Sequence, residues 1–150
     1  MATTQITPDL SIVKTEHPNA ARLREGFAAF GRGDLDHVRR EMTDDATWTN
    51  AGSSVLAGTY AGWDAIQGMF VKLFEATNGT FTMDLLSCLA DDARAVAVYD
   101  ATSTVAGQTR TMRFCFVQEL NAEGLATATN TIAYDQAAAD AHLAGIPPQI

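Results

Sequence analysis

The hydrophobic pattern of the chain changes period from 3.6 to 2 after Asn78-Gly79, and nothing else in the sequence constrains the fold as strongly. Before that point apolar residues recur three or four positions apart. Ala20, Leu23, Phe27 and Phe30 (with Ala21 and Ala28) form one such series, and Ile66, Met69, Phe70, Leu73 and Phe74 form another. Each series lays an apolar stripe along one face of a helix. After Gly79 apolar residues fall at alternate positions, the pattern of a strand with one face buried. Turn-forming runs divide this half at Asp91-Asp92, at Ala106-Gly107-Gln108 and at 121–124. Helices followed by hairpin-linked strands give an α+β fold. The expected form is a curved, mostly antiparallel sheet with three N-terminal-half helices on its concave face.

Local signals set the limits of the elements. His17-Pro18-Asn19 opens the first helix, because the N–H that proline lacks would be unpaired there anyway. Gly31 and Gly33 close it. Asp34 is placed to cap a second helix over 35–42, with Leu35, Val38 and Met42 on one side. A short strand is expected at 47–50 and a Gly- and Ser-rich loop at 51–59. Asp64 is the expected cap of the third helix, which stops at Asn78-Gly79. Four strands are expected at 80–89, 94–105, 109–120 and 125–134, then an Ala-rich tail helix at 135–143. Residues 1–16 are expected to form a flexible arm, 17–143 one domain and 144–150 a tail.

Composition excludes several classes of function. A chain of 150 residues fits one domain and can bury roughly 68–70% of its unfolded surface. Its formal net charge is −8, and its ten Lys and Arg form no run beyond Arg39-Arg40. That argues against a nucleic-acid partner, which needs a basic patch, and against docking on anionic lipid. No stretch approaches the roughly 20 apolar residues of a membrane span, and no signal-peptide core opens the chain. A soluble, cytoplasmic protein is expected. Cys88 and Cys115 lie in apolar runs without CxxC or metal-ligand spacing, so two buried free thiols are expected. His17, His37 and His142 have no partner at metal-ligand spacing. No HExxH, GxSxG, P-loop or GxGxxG occurs, so no metal and no cofactor is expected.

The run GFAAFGRGDLDHVRREMTDDATWTNAG, Gly26 to Gly52, and the run LAGTYAGWDAI, Leu56 to Ile66, resemble the nuclear-transport-factor-2-like superfamily, in its SnoaL-like and ketosteroid-isomerase-like branch. The resemblance spans roughly 17–143. It implies a cone whose open end is a mostly apolar pocket, a hydrophobic small-molecule ligand, and a homodimer through the outer sheet face, where Cys115 and Val117 are apolar enough to allow it. Alternation along the strands offers inward sets. These are Val96, Val98, Asp100, Thr102 and Thr104; Met112, Phe114, Phe116 and Gln118; and Ala126, Ala128, Asn130, Ile132 and Tyr134. Such a lining either encloses a cavity or simply fills a core.

Asp100 is the sharpest candidate for chemistry. A carboxylate is disfavoured in the middle of a strand, and one facing an apolar cavity would have its pKa raised and serve as general acid or base. An exposed rim position would explain it equally. Asn50 falls where the resemblance places the isomerases' catalytic Asp, and an amide has no useful basicity. The Trp48-x-Asn50 pair is more similar to the epoxide hydrolases of this fold, where Asn positions water. Gly26 and Phe116 stand near two further isomerase positions without matching them. Val98 and Ile132 depart in the same way from the epoxide hydrolase pattern. Trp48, Tyr60 and Tyr99 are expected near the mouth, with Val98, Met112, Phe114, Phe116, Asn130 and Ile132 along the walls. Two readings stand open: a cofactor-free acid/base enzyme (isomerase, cyclase or epoxide-hydrolase type) on a hydrophobic small molecule, with Asp100 and Asn50 catalytic, or a non-catalytic binder of an apolar metabolite.

Overall fold

The computed structural model describes residues 16–148. The arm expected over 1–16 therefore lies outside the described residues except for Glu16, as do the last two residues of the tail. Helix α1 (Pro18–Gly31) is capped by His17, whose Nδ1 accepts from the Asn19 amide at 3.1 Å. Asp34 caps α2 (Leu35–Arg40) by accepting from the His37 amide at 3.1 Å. This helix is shorter than expected, because Met42 already begins strand β1 (Met42–Asn50) and pairs with Ala126. Strand β2 (Gly58–Ala61) returns antiparallel along β1, in a segment expected to be loop and helix lead-in. Helix α3 (Trp63–Ala76) follows. Gly62, at φ 81°, holds its cap position, and Asp64 sits inside the first turn instead.

Four long strands complete the sheet: β3 (Thr82–Ala90), β4 (Arg94–Val105), β5 (Gln108–Leu120) and β6 (Ala126–Ala133). The sheet is curved and open, in the order β2-β1-β6-β5-β4-β3, and only the β1–β6 pair is parallel. Helix α4 (Gln136–Leu143) ends the fold, with Asp135 accepting from the Ala138 amide at 3.0 Å.

The β4–β5 turn decides which side chains face inward. With Ala106-Gly107-Gln108 as the turn, Val105 would oppose Thr109 and Asp100 would oppose Phe114. The turn has two residues, Ala106 and Gly107, both at positive φ, as in the tight hairpins that match strand twist. Val105 therefore opposes Gln108, Tyr99 opposes Phe114 and Asp100 opposes Arg113. Directly opposed residues share a face. The inward set of β4 is thus Ala95, Ala97, Tyr99, Ala101 and Ser103, and the set expected from sequence lies on the outer face. On β6 the expectation is right at Ala126, but an irregularity opposite Glu119 and Leu120 inverts the alternation beyond it. Thr129, Thr131 and Ala133 are buried; Asn130, Ile132 and Tyr134 point outward.

Two apolar clusters form the core. One packs α1 on β3 and β4 around Ala20, Leu23, Cys88, Ala95 and Ala97. The other gathers Val38, Ala46, Ile66, Met69 and Phe70 between the helices and β1. Trp48 joins them, meeting Phe70 and Phe116 edge-on at ring-centroid distances of 5.2 and 5.5 Å. Both cysteines are free thiols: Cys88 is buried and Cys115 partly so. Among the described residues no helix is long and apolar enough to cross a membrane.

Candidate functional site

Between α1, α3, α4 and the concave sheet lies a cavity of about 180 Å³. Its walls are mostly apolar, supplied by Phe27 and Phe30 of α1, Met69 and Phe70 of α3, and Met112, Phe114 and Phe116 of β5. Small residues on β4, above all Ala101, leave the room. The clustered large side chains are held edge to edge: Phe27 meets Tyr99 and Phe116, each at 5.2 Å.

The polar groups of the wall fall into two kinds. Asn50 is tied to the protein through both its oxygen and its nitrogen. Its Oδ1 accepts from Trp48 Nε1 at 2.9 Å and from Thr131 Oγ1 at 2.6 Å, and its Nδ2 donates to the Leu56 carbonyl at 2.9 Å. At the rim, Glu41 is tied to Arg22 at 2.9 Å. Asp140 accepts from Gln136 Nε2 and from the Ser53 amide. That last contact clamps α4 onto the loop after β1, where Gly52 at φ 93° leaves no space for a Cβ beside Asp140.

The other kind is open. His142 of α4 is 5% exposed and lines the cavity. Its Nε2 lies 3.0 Å from Ser103 Oγ and 3.2 Å from the Ser103 carbonyl oxygen. A carbonyl only accepts, so Nε2 carries the proton and Nδ1 holds a free lone pair. Burial pushes the imidazole below its ordinary value; the hydrogen bond to the Ser103 main chain opposes this and nearby Arg110 adds to it. No sealed-off side-chain nitrogen or oxygen lacks a partner among the described residues, so Nδ1, which has none, is reachable. Tyr99 is open as well, 7% exposed, with no partner for its hydroxyl among the described residues, and Arg110 lines the cavity opposite Ser103.

The residues expected from sequence divide accordingly. Trp48, Asn50, Met112, Phe114 and Phe116 come together on the cavity wall. Tyr60 stands behind it, its hydroxyl donating to the Leu56 carbonyl at 3.1 Å. Val98, Asp100, Asn130 and Ile132 do not reach the cavity, because both strands present their opposite faces to it. Asp100 instead accepts from Arg113 Nε and Nη2 at 2.9 and 3.1 Å on the outer face, and that guanidinium holds its carboxyl below the usual range. His142 is the residue missed. Ala139, His142 and Leu143 recur at helical spacing, which places the imidazole on the inward face of the tail helix. Among the described residues no cluster of three or more His, Cys, Asp or Glu could hold a metal.

The family model described as SnoaL-like domain matches residues 23–129. The chain belongs to the SnoaL-like family. Solved structures of the nuclear-transport-factor-2-like superfamily share its architecture, as the α+β cone requires. Bal32a, from a soil-derived mobile gene cassette, is 31% identical with a TM-score of 0.78, covering 83% of this chain and 95% of that one. TerC, co-crystallised with polyporic acid, superposes with a TM-score of 0.75 at 20% identity, over 85% of this chain and 99% of that one. Among curated relatives, uncharacterized protein Rv0034 of Mycobacterium tuberculosis is 30% identical over 95 residues, 63% of this SnoaL-like chain and 72% of the relative.

Proposed function

We propose that the protein takes up a hydrophobic small molecule in the cone and performs cofactor-free acid/base chemistry on it, with His142 as the proton-transferring group. The observation that carries this reading is a buried imidazole in an apolar cavity wall whose Nδ1 has no partner among the described residues. Trp48, Met112, Phe114 and Phe116 hold the ligand by apolar contact, and Asn50 fixes the Trp48 ring rather than touching the reacting atoms. Proton abstraction at Nδ1 gives an imidazolium whose Nε2–H is already held by the Ser103 carbonyl. TerC, which shares this fold, was co-crystallised with polyporic acid, and that supports a small-molecule reading. The homodimer is part of the same proposal. Ile132, 53% exposed, sits opposite Cys115 on the outer sheet face, and light scattering at micromolar concentration should report twice the chain mass.

The test is hydrogen–deuterium exchange alpha to the carbonyl of cyclohexanone and acetophenone in D2O, followed by NMR. The wild type should accelerate exchange over buffer containing free imidazole. His142→Gln should lose about 100-fold or more of that acceleration, within the range of general acid–base contributions. The imidazole titrates below its ordinary value, so the rate should be flat above about pH 6.5. It should fall as pH drops through the lowered pKa and Nδ1 becomes protonated. Equal rates for wild type and His142→Gln would refute the assignment.

A second reading, a non-catalytic binder, is favoured by one specific observation. The carboxylates at the cavity, Glu41 and Asp140, and the amide of Asn50 are all tied to protein partners. Ligand bound tightly and recovered without exchange would select it.

A further inference from the structure

One inward residue of β4 lies between Tyr99 and the serine that holds His142. Tyr99, Ala101 and Ser103 are successive inward positions of β4, and Ser103 holds His142. At about 3.4 Å per residue, the Tyr99 and Ser103 Cα atoms are roughly 13 Å apart. Ala101 between them adds only a methyl group, so a flat molecule lying over it would touch both the Tyr99 hydroxyl and His142.

The Tyr99 ring has little freedom. Phe114 stacks on it at 5.5 Å with an interplanar angle of 12°, and Phe27 meets it edge-on at 5.2 Å and 61°. Its hydroxyl is therefore aimed by packing, without any hydrogen bond among the described residues. Buried hydroxyls are normally paired, and one left open in an apolar wall leaves a hydrogen bond for an incoming group to make. Burial also pushes the phenol well above its ordinary value. It stays protonated across the physiological range and acts as a donor, never as a base. The group it meets must be an acceptor.

Size narrows the class further. An apolar protein cavity of about 150 Å³ accommodates benzene, and this one is about 180 Å³. One ring with a short substituent fits, and a fused tetracycle does not. The aromatic end of the cavity, Phe27, Phe114 and Phe116, carries no cation, so the group that meets Tyr99 there is neutral; Arg110 lines the other end, opposite Ser103.

We propose that Tyr99 is the ligand-recognition donor of this site, binding the carbonyl oxygen of a neutral single-ring compound that lies over Ala101 between Tyr99 and His142. This rests on the cavity being a small-molecule site, and the test separates the two claims. Acetophenone and 2-phenylpropene have nearly the same shape, and only the first carries an acceptor oxygen. Titration calorimetry of the wild type should show acetophenone binding about tenfold tighter, the effect of one net hydrogen bond. Tyr99→Phe should bring acetophenone down to the hydrocarbon's affinity and leave the hydrocarbon unchanged. The infrared carbonyl stretch of bound acetophenone should shift to lower frequency in the wild type and return in Tyr99→Phe. A preference that survives in Tyr99→Phe, or equal affinities in the wild type, overturns the role of Tyr99 while sparing the cavity. Absence of binding by both probes overturns the cavity reading and this proposal together.

Discussion

Ala97 and Ala101 are the same residue on the same face of the same strand, and they do opposite work. Ala97 is sealed, with no exposure, because α1 lies directly on that end of β4 and an alanine lets helix and sheet approach closely. Ala101 belongs to the stretch that borders the cavity. There the small side chain leaves a void instead of a close contact. A small residue is therefore neither a core feature nor a pocket feature in itself. What lies opposite it decides. The dry end gives the cone its stability, and the open end gives it capacity.

That contrast predicts opposite outcomes for one substitution. Ala97→Leu forces a branched side chain between α1 and β4 and should cost about 3 kcal/mol in chemical denaturation, at the upper end of typical overpacking. Ala101→Leu points into free space and should leave stability within about 1 kcal/mol, since the added methyl groups gain contacts rather than clash. It should instead weaken acetophenone binding at least as much as Tyr99→Phe does. If Ala101→Leu were as destabilising as Ala97→Leu, the space above Ala101 would not be available to a ligand.

The polar groups show the same division between closed and open. Asn50 closes a network: replacing it with Leu strips the acceptor from Trp48 Nε1 and Thr131 Oγ1. Leaving buried donors unpaired costs about 1–3 kcal/mol, so Asn50→Leu should lose about 2 kcal/mol of unfolding free energy. The exchange rate per folded molecule should change far less than in His142→Gln. A rate loss matching that of His142→Gln, in folded protein, would mean that the amide takes part in the chemistry.

The elements of this fold were legible because they rest on periods and caps that each segment carries within itself. The 3.6-residue stripes of α1 and α3, the cap at Asp34 and the inward face of β5 are all local. The facing of β4 and β6 is not local. It is inherited through the ladder from β5, and one residue too many in the Ala106-Gly107 turn inverts a whole strand. Composition reinforces the inversion, because Val96, Val98 and Ile132 look more like core than Ala95, Ala97 and Thr131 do. The irregularity opposite Glu119 inverts β6 in the same way after a correct start at Ala126. The pocket lining supplied by β5 was therefore readable, and the acid assigned to β4 was not. His142 is not legible in this way because its partner Ser103 lies 39 residues away in sequence and the two form no motif.

The outer face of β4 supplies the smallest expected effect and the sharpest control. There every polar side chain finds a cross-strand partner of its own kind or opposite charge: Asp100 with Arg113, Thr102 with Thr111 at 2.7 Å, Thr104 with Thr109 at 2.7 Å. These pairs stabilise register from outside and have no route to the cavity. Asp100→Asn removes the charge that Arg113 holds in its ionised form, and water replaces the lost contact readily at a surface ion pair. Ligand affinity and exchange rate should both match the wild type, with only a marginal change in melting temperature. The pair should matter less still at high salt, where surface charges are screened. A large loss of exchange in Asp100→Asn would mean that the inward and outward faces of β4 are reversed in solution, and the roles of Tyr99, Ala101 and Ser103 would fall with them.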